Sequence, residues 1–521
     1  MPPSTGRRIA QAAVVLMALE AVEQATGLVK QMVIAAQFGT SAILDAYFVA
    51  TTVAGLVLLW ATLPINQVLI PMFRHDLARH GERVAWTNAS VLFNNVAVIL
   101  FCVSVAVALL ASPLVSLLAP GFDPGAQSLA TVLAQIVVPS VLFMGVARVL
   151  AQLYYSYERF VTPGAAGLVN NVALVVGFVA VAHAWGVHGL AVAVVFGALV
   201  ELLLLVPILW EKRRYYVARI DLRAPQMTEL RTLSLPLLVT AGGTEVARIT
   251  DRVFASLLSA GSLTALGFAQ RLTSLQNDFL LRPLIRSTDP HFAQLSAERD
   301  FPALSQQLFR YLRLMFFVAV PVTVAIAVLS DDVVRLLFQR GAFDDTSVRL
   351  TSHALLAYTL GYPATSLSRV LDRTFFALKE TRTPTRMALL RIAVKIGLAF
   401  ALLRPLAHVG IALAESLSQF IRLPLLLRAL PAEIRRQEIG RTVAAFGRTV
   451  AAGGVMAAIM LAADERVASV AVLPLRIAAL SALGFAAFAG VALVLQRDEA
   501  RTVARGLAAC LPASLARGRR A

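Results

Sequence analysis

Residues 187–210 form an apolar run, VHGLAVAVVFGALVELLLLVPILW, in which Glu201 is the only acidic residue and neither Lys nor Arg occurs. A helix of this length crosses a hydrocarbon core that is ~30 Å thick. Similar runs recur along the chain, which is 58% hydrophobic and 15% charged, whereas a soluble protein has about 25% charged residues. The runs lack the alternation of membrane β-strands. The sequence therefore predicts an all-α polytopic membrane protein.

We predict fourteen transmembrane helices from these runs and the breaks between them. They span residues 9–37, 43–71, 86–112, 127–155, 161–183, 187–210, 229–259, 262–286, 304–330, 347–377, 384–404, 408–429, 442–463 and 470–495. The connecting loops are short, which leaves no room for a separate catalytic domain.

Lys and Arg concentrate in alternate loops. The loops at 72–85, 211–228 and 430–441 are basic, whereas those at 38–42, 113–126, 184–186 and 260–261 contain neither residue. Because cytoplasmic loops carry the excess of positive charge, we expect both termini in the cytoplasm. The loop at 331–346 is mixed, since Arg335 and Arg340 lie there with four aspartates on the predicted outer side. The net charge of +17 thus reflects membrane topology and does not indicate nucleic-acid binding.

No pattern indicates catalysis, a metal ion or an organic cofactor. The two cysteines, Cys102 and Cys510, give neither a disulfide framework nor a metal-ligand spacing. The histidines are scattered near helix ends and show no ligand spacing. Residues 1–8 are basic, but the apolar run after them continues into a charged helix without a signal-peptidase site. We therefore expect a protein that is not an enzyme.

The chain contains an internal repeat. At a spacing of 221, Arg148-Val149-Leu150 recurs as Arg369-Val370-Leu371, Phe122-Asp123 as Phe343-Asp344 and Thr162-Pro163 as Thr383-Pro384; at 222, Glu23, Ala25, Lys30 and Gly39 recur as Glu245, Ala247, Arg252 and Gly261. Because an even number of helices separates the copies, the halves are parallel repeats, and such transporters bind substrate between the halves near mid-membrane. We predict an N-lobe over 1–228, a C-lobe over 229–430, and the last two helices with a basic tail over 431–521.

Ionisable residues lie within predicted helices 1, 7 and 8. Glu245, Arg248, Asp251 and Arg252 fall inside helix 7, Glu23 and Lys30 inside helix 1, and Arg271 inside helix 8. A charge at bilayer depth costs several kcal/mol and usually faces a bundle interior or a water-filled cavity. The repeat makes helices 1 and 7 counterparts, so we expect the two charged faces to line one cavity. Its cations suit an anion such as a diphosphate, which guanidinium groups bind through paired hydrogen bonds.

Two alternatives stay open at this point. Glu245 with Arg248, and Arg248 with Asp251, each three residues apart, could instead form intrahelical ion pairs that only fix helix packing. A second charged cluster, formed by Arg391, Lys395 and Glu415 on helices 11 and 12, is equally consistent with an ion site and with packing.

Several segments resemble one known family. Residues 376–386 (FALKETRTPTR), 337–343 (LFQRGAF), 254–258 (FASLL) with 270–272 (QRL), and Phe38-Gly39 followed by 45–50 (DAYFVA) are similar, in order along most of the chain, to the MviN/MurJ family. The resemblance implies fourteen helices and a flippase that moves undecaprenyl-diphosphate-linked saccharides, above all the peptidoglycan precursor lipid II, to the outer leaflet of the bacterial inner membrane. It also implies a cationic cavity lined by helices 1, 2, 7 and 8, and a groove for the lipid tail between helices 13 and 14.

The family's site residues carry over only in part. Its helix 1 arginine falls at Lys30, the acid that opens helix 2 at Asp45, and its helix 8 arginine at Arg271. The acid after the helix 1 arginine falls at Gln31. Further charged positions of well-studied members fall at Gln24, Leu58 and Ser274, whereas helix 7 here carries Arg248, Asp251 and Arg252. The cavity stays cationic although its charges have moved, so a paralogue that carries an exopolysaccharide repeat unit fits as well as a lipid II flippase.

The resemblance further implies coupling to the membrane potential or to a cation, Na⁺ or H⁺, with Asp251, Asp372 and Glu415 as candidate acids. The expected partners are the lipid-linked saccharide, the bilayer and proteins of cell-envelope biosynthesis. A multidrug exporter of the same superfamily is a rival, but it predicts twelve helices and an acidic cavity. A membrane-embedded glycosyltransferase would need a large outer loop, and an inactive scaffold is a third alternative.

Overall fold

A computed structural model describes residues 5–278, 291–435, 438–467, 472–496 and 499. In these residues the regular structure is helical throughout, which confirms the predicted all-α class. In chain order the helices are α1 (Thr5–Phe38), α2 (Ala42–Leu109), α3 (Ala111–Leu118), α4 (Pro124–Val137), α5 (Pro139–Ser156), α6 (Val161–Leu205), α7 (Pro207–Glu211), α8 (Pro225–Ser256), α9 (Ser262–Gln276), α10 (Phe301–Val328), α11 (Ser330–Phe338), α12 (Asp345–Leu360), α13 (Tyr362–Ala377), α14 (Arg382–Ala429), α15 (Ala432–Arg435), α16 (Ile439–Val467) and α17 (Leu473–Leu495).

Nine helical stretches of the described residues are long and apolar enough to cross a membrane. Some are too long for one crossing: α14 has 48 residues, or about 72 Å at 1.5 Å per residue. It breaks at Ala407, as α2 breaks at Gly81 and α6 at Gly186. Each of these three helices thus contains two predicted helices, and the described chain is consistent with fourteen. The predicted end of helix 8, at 279–286, and the basic tail beyond 499 lie outside the described residues.

The structure corrects several predicted boundaries. The segments 72–85, 113–126 and 331–346, which we predicted as loops, contain helical turns of α2, α3 and α11. Predicted helices 4 and 10 are each divided in two, at Val138 and at Gly361. A proline follows each break, at Pro139 and Pro363. Proline is favoured in the first turn of a helix because it lacks a backbone N–H.

Rare backbone conformations recur at the spacing of the internal repeat. The φ angle is positive at Gly39 and Gly261 (57° and 86°), at Glu158 and Lys379 (59° and 58°), and at Gly186 and Ala407 (49° and 48°). The ψ angles at Gly186 and Ala407 also agree, at −125° and −131°. The two halves therefore share local backbone breaks as well as sequence matches, which supports the predicted duplication.

The chain divides into two compact units. The first contains Met1–Thr264 and Arg340–Asp344, and the second contains Ala265–Gln339 and Asp345–Ala521. This division differs from the predicted lobe boundary at residue 228, because α8 packs on α2 and α3 within the first unit. The predicted lobes follow the repeat and the units follow the packing, so the lobe boundaries stay a prediction.

The last two membrane helices belong to the second unit, where they pack on α10. A buried apolar cluster joins Phe317 and Leu329 to Met456 and Met460 of α16 and Phe488 of α17. Between membrane helices, contacts of this kind stabilise through van der Waals packing, because the surrounding lipid is as apolar as the side chains. Because this cluster is continuous, α16 and α17 form an integral part of the unit, although they lie outside the repeat.

Candidate substrate site

Lys30 is a partly buried cation on α1. Its Nζ donates a hydrogen bond of 2.7 Å to Oδ1 of Asn171 on α6. The amide of Asn171 in turn donates from Nδ2 to the backbone carbonyl of Glu23, at 3.3 Å. The asparagine therefore holds the Lys30 ammonium against α6 through a neutral group.

Glu23, two helical turns before Lys30 on the same face of α1, lies beside a second polar pair. A Cβ at Gly167 would lie 2.1 Å from Oε1 of Glu23, so a larger residue there would displace this carboxylate. Arg148 and Glu201 lie within electrostatic range of Glu23. Glu201, 4% exposed, accepts a 2.7 Å hydrogen bond from Asn170 Nδ2. Glu201 stands out in its apolar run, but the sequence alone does not predict that it lies near helix 1.

On α8, the Glu245–Arg248 pair forms as the spacing allowed. The two side chains are 3.1 Å apart, with Glu245 buried and more than half of Arg248 exposed. Glu245 and Arg248 therefore form the intrahelical ion pair that was one of the two alternatives. Asp251, one turn further, is 9% exposed.

Arg252 points toward the start of α2. Its guanidinium lies 5.6 Å from the ring centroid of Phe48 and within electrostatic range of Asp45. A cation over an aromatic face gains about 0.5–2 kcal/mol, more when it is desolvated. Arg252 is thus a partly buried cation that lies close to a carboxylate and an aromatic ring.

Asp45 is 3% exposed and joins α2 to α9. Its Oδ2 accepts from the backbone N–H of Gly261 at 2.6 Å, and its Oδ1 accepts from the N–H and the hydroxyl of Thr264 at 2.7 and 2.6 Å. A carboxylate at a helix N-terminus is favoured by the helix dipole and by its free N–H groups. Asp45, which the resemblance placed among substrate-binding residues, is here enclosed by a helix start, and this environment favours a structural role.

Two glycines bring other segments of the first unit into close contact at the same predicted outer end. Ala342 N–H donates to the carbonyl of Ala36 at 2.7 Å, and a Cβ at Gly341 would lie 2.2 Å from that carbonyl oxygen. A Cβ at Gly121 would lie 2.3 Å from the carbonyl oxygen of Ser256. These approaches require glycine, because any side chain would separate the backbones.

Arg271 lies on α9 in the second unit. It is partly buried, and its backbone carbonyl accepts a 2.7 Å hydrogen bond from Ser274 Oγ. Lys30, Arg248 and Arg252 belong to the first unit. The structure thus places predicted site cations on both units.

The predicted second cluster, in the second unit, is a closed ion-pair network. Glu415 accepts from Arg391 at 2.8 Å and from Lys395 at 2.7 Å, and Gln419 Nε2 lies 3.3 Å from the same carboxylate. Lys395 is 5% exposed. Two cations and one carboxylate at these distances favour the packing interpretation over an ion site, since both carboxylate oxygens are already paired.

Asp372 is also paired. It accepts a 2.7 Å hydrogen bond from Arg422, which is 9% exposed. Arg422 lies 50 residues from Asp372 in the chain, and its spacing gives no sign of this partner. Two of the three candidate coupling acids, Asp372 and Glu415, therefore each lie against an Arg or Lys.

Comparison with known proteins gives one consistent family. A family model described as "Lipid II flippase MurJ" matches residues 34–479. The chain is 29% identical over 454 residues to the probable lipid II flippase MurJ of Rhizobium meliloti (strain 1021), covering 84% of each chain. It is 24% identical over 476 residues to the probable lipid II flippase MurJ of Vibrio cholerae, covering 88% of this chain and 90% of the other.

Solved structures show the same fold. A lipid II flippase MurJ in an inward closed conformation superposes with a TM-score of 0.77 at 18% identity, over 93% of this chain and 99% of that chain. An inward-facing multidrug resistance transporter of the MATE family superposes with a TM-score of 0.66 at 15% identity, over 83% of this chain and 98% of the other. The fold is thus shared with both kinds of transporter, and the sequence match points to the first.

Proposed function

The chain belongs to the MurJ family of lipid II flippases, and on that premise we propose that it moves lipid II from the inner to the outer leaflet of a bacterial cytoplasmic membrane. It is a multi-pass membrane protein whose substrate is a lipid-linked saccharide. We propose that it works by alternating access and makes or breaks no covalent bond, with both termini in the cytoplasm.

The observation that carries the proposal is the pair of partly buried cations on the predicted membrane helices 1 and 7, Lys30 and Arg252. A lysine or arginine inside a membrane-spanning segment costs several kcal/mol, and such residues mark the path of a substrate or an ion. The lipid diphosphate is such an anion, and it forms charge-assisted hydrogen bonds with ammonium and guanidinium groups. Arg271, on α9, stays a predicted site residue from the sequence. Arg248 contributes less in this proposal, because Glu245 already neutralises it.

We propose that Asp45 belongs to the gate on the outer side and does not bind the substrate. Its bonds to Gly261 and Thr264 hold the outer ends of α2 and α9 together, and the Ala36–Ala342 contact lies at the same end. Release of the saccharide to the outside requires these contacts to break. A substrate drives such a change only through a difference in affinity between the two states.

For the energy source we propose the membrane potential. Asp372 and Glu415 are already paired with Arg or Lys side chains, which leaves them poorly suited to bind Na⁺. An inside-negative potential drives an anion outward by about 2.3 kcal/mol per charge at 100 mV. A diphosphate with two net charges would thus gain about 4–5 kcal/mol.

Two rival cargoes give different results in one experiment. Purified protein is placed in liposomes with a fluorescent lipid II, and a membrane-impermeant quencher reports how much reaches the outer leaflet. We expect protein-dependent appearance of lipid II outside. Transfer of an exopolysaccharide unit on undecaprenyl diphosphate, without transfer of lipid II, would show that lipid II is not the substrate. The proposed diphosphate-binding site would still be consistent with that result. Transfer of neither lipid would reject the proposed function. The multidrug alternative rests only on the shared fold.

A further inference from the structure

We propose that His75, Asp76 and His80 form a binding site for a divalent transition-metal ion at the predicted cytoplasmic break in the middle of α2. The three residues lie in the turns before the helix breaks at Gly81, where φ is 81°. None of them takes part in the substrate site or the outer contacts, so the inference is independent of the proposed function.

Two of the distances are close to those between neighbouring ligands of one metal ion. Nδ1 of His75 lies 3.5 Å from Oδ1 of Asp76, and Nδ1 of His80 lies 3.7 Å from the same oxygen. The three ligand atoms all lie within 4.8 Å of one another. A tetrahedral Zn²⁺ with ligands at about 2.0–2.2 Å separates neighbouring ligand atoms by about 3.3–3.6 Å. Direct N–H···O hydrogen bonds are shorter, about 2.7–3.2 Å.

Asp76 is held in the orientation that such a site needs. The residue is 9% exposed, and its second oxygen, Oδ2, accepts a 2.7 Å hydrogen bond from Asn88 Nδ2. This bond fixes the carboxylate and leaves Oδ1 between the two imidazoles. Metal-ligating carboxylates are commonly oriented by a hydrogen bond of this kind, and loss of the orienting partner costs about 10–100-fold in affinity.

The ligand set selects the class of ion. Two imidazoles and one carboxylate suit Zn²⁺, Co²⁺ or Ni²⁺, whereas Mg²⁺ and Ca²⁺ prefer oxygen ligands alone. About half of each histidine side chain is exposed, so an ion can enter from solvent and keep a water as a fourth ligand. The neighbouring Arg74, Arg79 and Arg83 oppose a cation; the Arg74 guanidinium lies 3.3 Å from Glu158.

The site was not apparent from the sequence because only two of its ligands have a familiar spacing. Asp76 and His80 lie four residues apart, on one helical face, whereas His75 lies five residues before His80. Asn88, which orients Asp76, is also hard to recognise from the sequence, because it follows Asp76 by twelve positions on the far side of the break at Gly81.

The test is metal binding by the purified, full-length protein in detergent, with any polyhistidine tag removed. Co²⁺ is added and its visible absorption is recorded, and Zn²⁺ is then used in competition. We expect one equivalent of Co²⁺ with the intense spectrum of a four-coordinate ion, displaced by Zn²⁺. His75→Ala and His80→Ala should each weaken binding by at least tenfold, and Asn88→Ala by roughly tenfold or more.

The control replaces two histidines elsewhere, both exposed, in the double variant His188→Ala/His353→Ala, which should bind like the wild type. Both site histidines are also exposed, so their alanine variants should fold; the elution profile of each variant checks this. Absence of a stoichiometric Co²⁺ or Zn²⁺ complex in the wild type would overturn the proposal. So would undiminished binding by the His75→Ala or His80→Ala protein.

Discussion

Asp45 and Thr264 are 219 residues apart in the chain, yet two hydrogen bonds join them, at 2.7 Å from the backbone N–H and 2.6 Å from the hydroxyl. Thr264 lies in the first turn of α9, where N–H groups have no partner within the helix. The carboxylate accepts from the N–H of Thr264 and also from that of Gly261, the residue just before α9. This contact is the physical basis on which we assign Asp45 to the outer gate.

Asp45→Asn should loosen this gate. The amide removes the charge and leaves one N–H facing another donor, and hydrogen bonds to a charged group contribute about 1.5–3 kcal/mol each. The population with an open outer end should rise accordingly, by about tenfold or more. The measurement is the rate at which a membrane-impermeant thiol reagent labels Ser262→Cys from outside, in a Cys102→Ser/Cys510→Ser background.

Thr264→Val serves as the graded comparison, because it removes the hydroxyl donor and keeps the backbone N–H. We expect a smaller increase in labelling, consistent with about 1 kcal/mol. Equal labelling of the Asp45→Asn protein and its parent would show that this contact does not hold the gate.

Glu415→Gln should destabilise the second unit. The change leaves Arg391 and Lys395 without a carboxylate, and removal of one partner from a buried ion pair costs about 3–5 kcal/mol. Thermal unfolding in detergent should show a lower Tm, whereas Glu433→Gln, at an exposed position, should leave the Tm unchanged. A Glu415→Gln protein as stable as the wild type would mean that the network does not support packing.

Transport should not depend on Na⁺. The carboxylates of Asp372 and Glu415 are paired with Arg or Lys side chains, and the proposed driving force is electrical. Replacing Na⁺ by K⁺ on both sides of proteoliposomes should leave the rate within about twofold at fixed potential. Collapse of an imposed inside-negative potential should lower the transport rate. A rate that rises steeply with Na⁺ at constant potential would argue for an ion site elsewhere.

The repeat allows a reciprocal test of backbone strain. Gly186 and Ala407 have the same φ and ψ, in a region that favours glycine and costs other residues about 1–3 kcal/mol. Ala407→Gly should therefore raise the Tm and Gly186→Ala should lower it. No heavy atom lies within 4 Å of a Cβ built at Gly186, so a steric clash does not complicate the second variant. A change in Tm of the same sign for both variants would contradict the claim that Ala407 has a strained backbone.

Local features of the chain were predictable from the sequence. Apolar runs of one bilayer thickness gave the fold class and the approximate helices, and the i, i+3 spacing of Glu245 and Arg248 gave their ion pair. The repeat was visible in short matches, and the backbone breaks at Gly186 and Ala407 follow it. Such features depend on neighbours within a few residues, which a sequence displays directly.

Contacts between distant segments were not predictable in the same way. Lys30 and Asn171 are 141 residues apart, and Asp372 and Arg422 are 50 apart. An asparagine in an apolar run signals a polar partner, but it does not say which one. Asp45 was for this reason placed by resemblance among substrate-binding residues, although its burial against α9 gives it a different environment.

Affinity for a lipid diphosphate tests the central claim most directly, since we assign its recognition to the partly buried cations. Binding of undecaprenyl diphosphate to purified protein is measured for the wild type, Lys30→Gln, Lys30→Arg and the exposed control Arg404→Gln, with transport of lipid II recorded in parallel. We expect Lys30→Gln to lose about tenfold or more in affinity, and to lose transport, while Lys30→Arg and Arg404→Gln retain both. Undiminished binding and transport by Lys30→Gln would contradict the account.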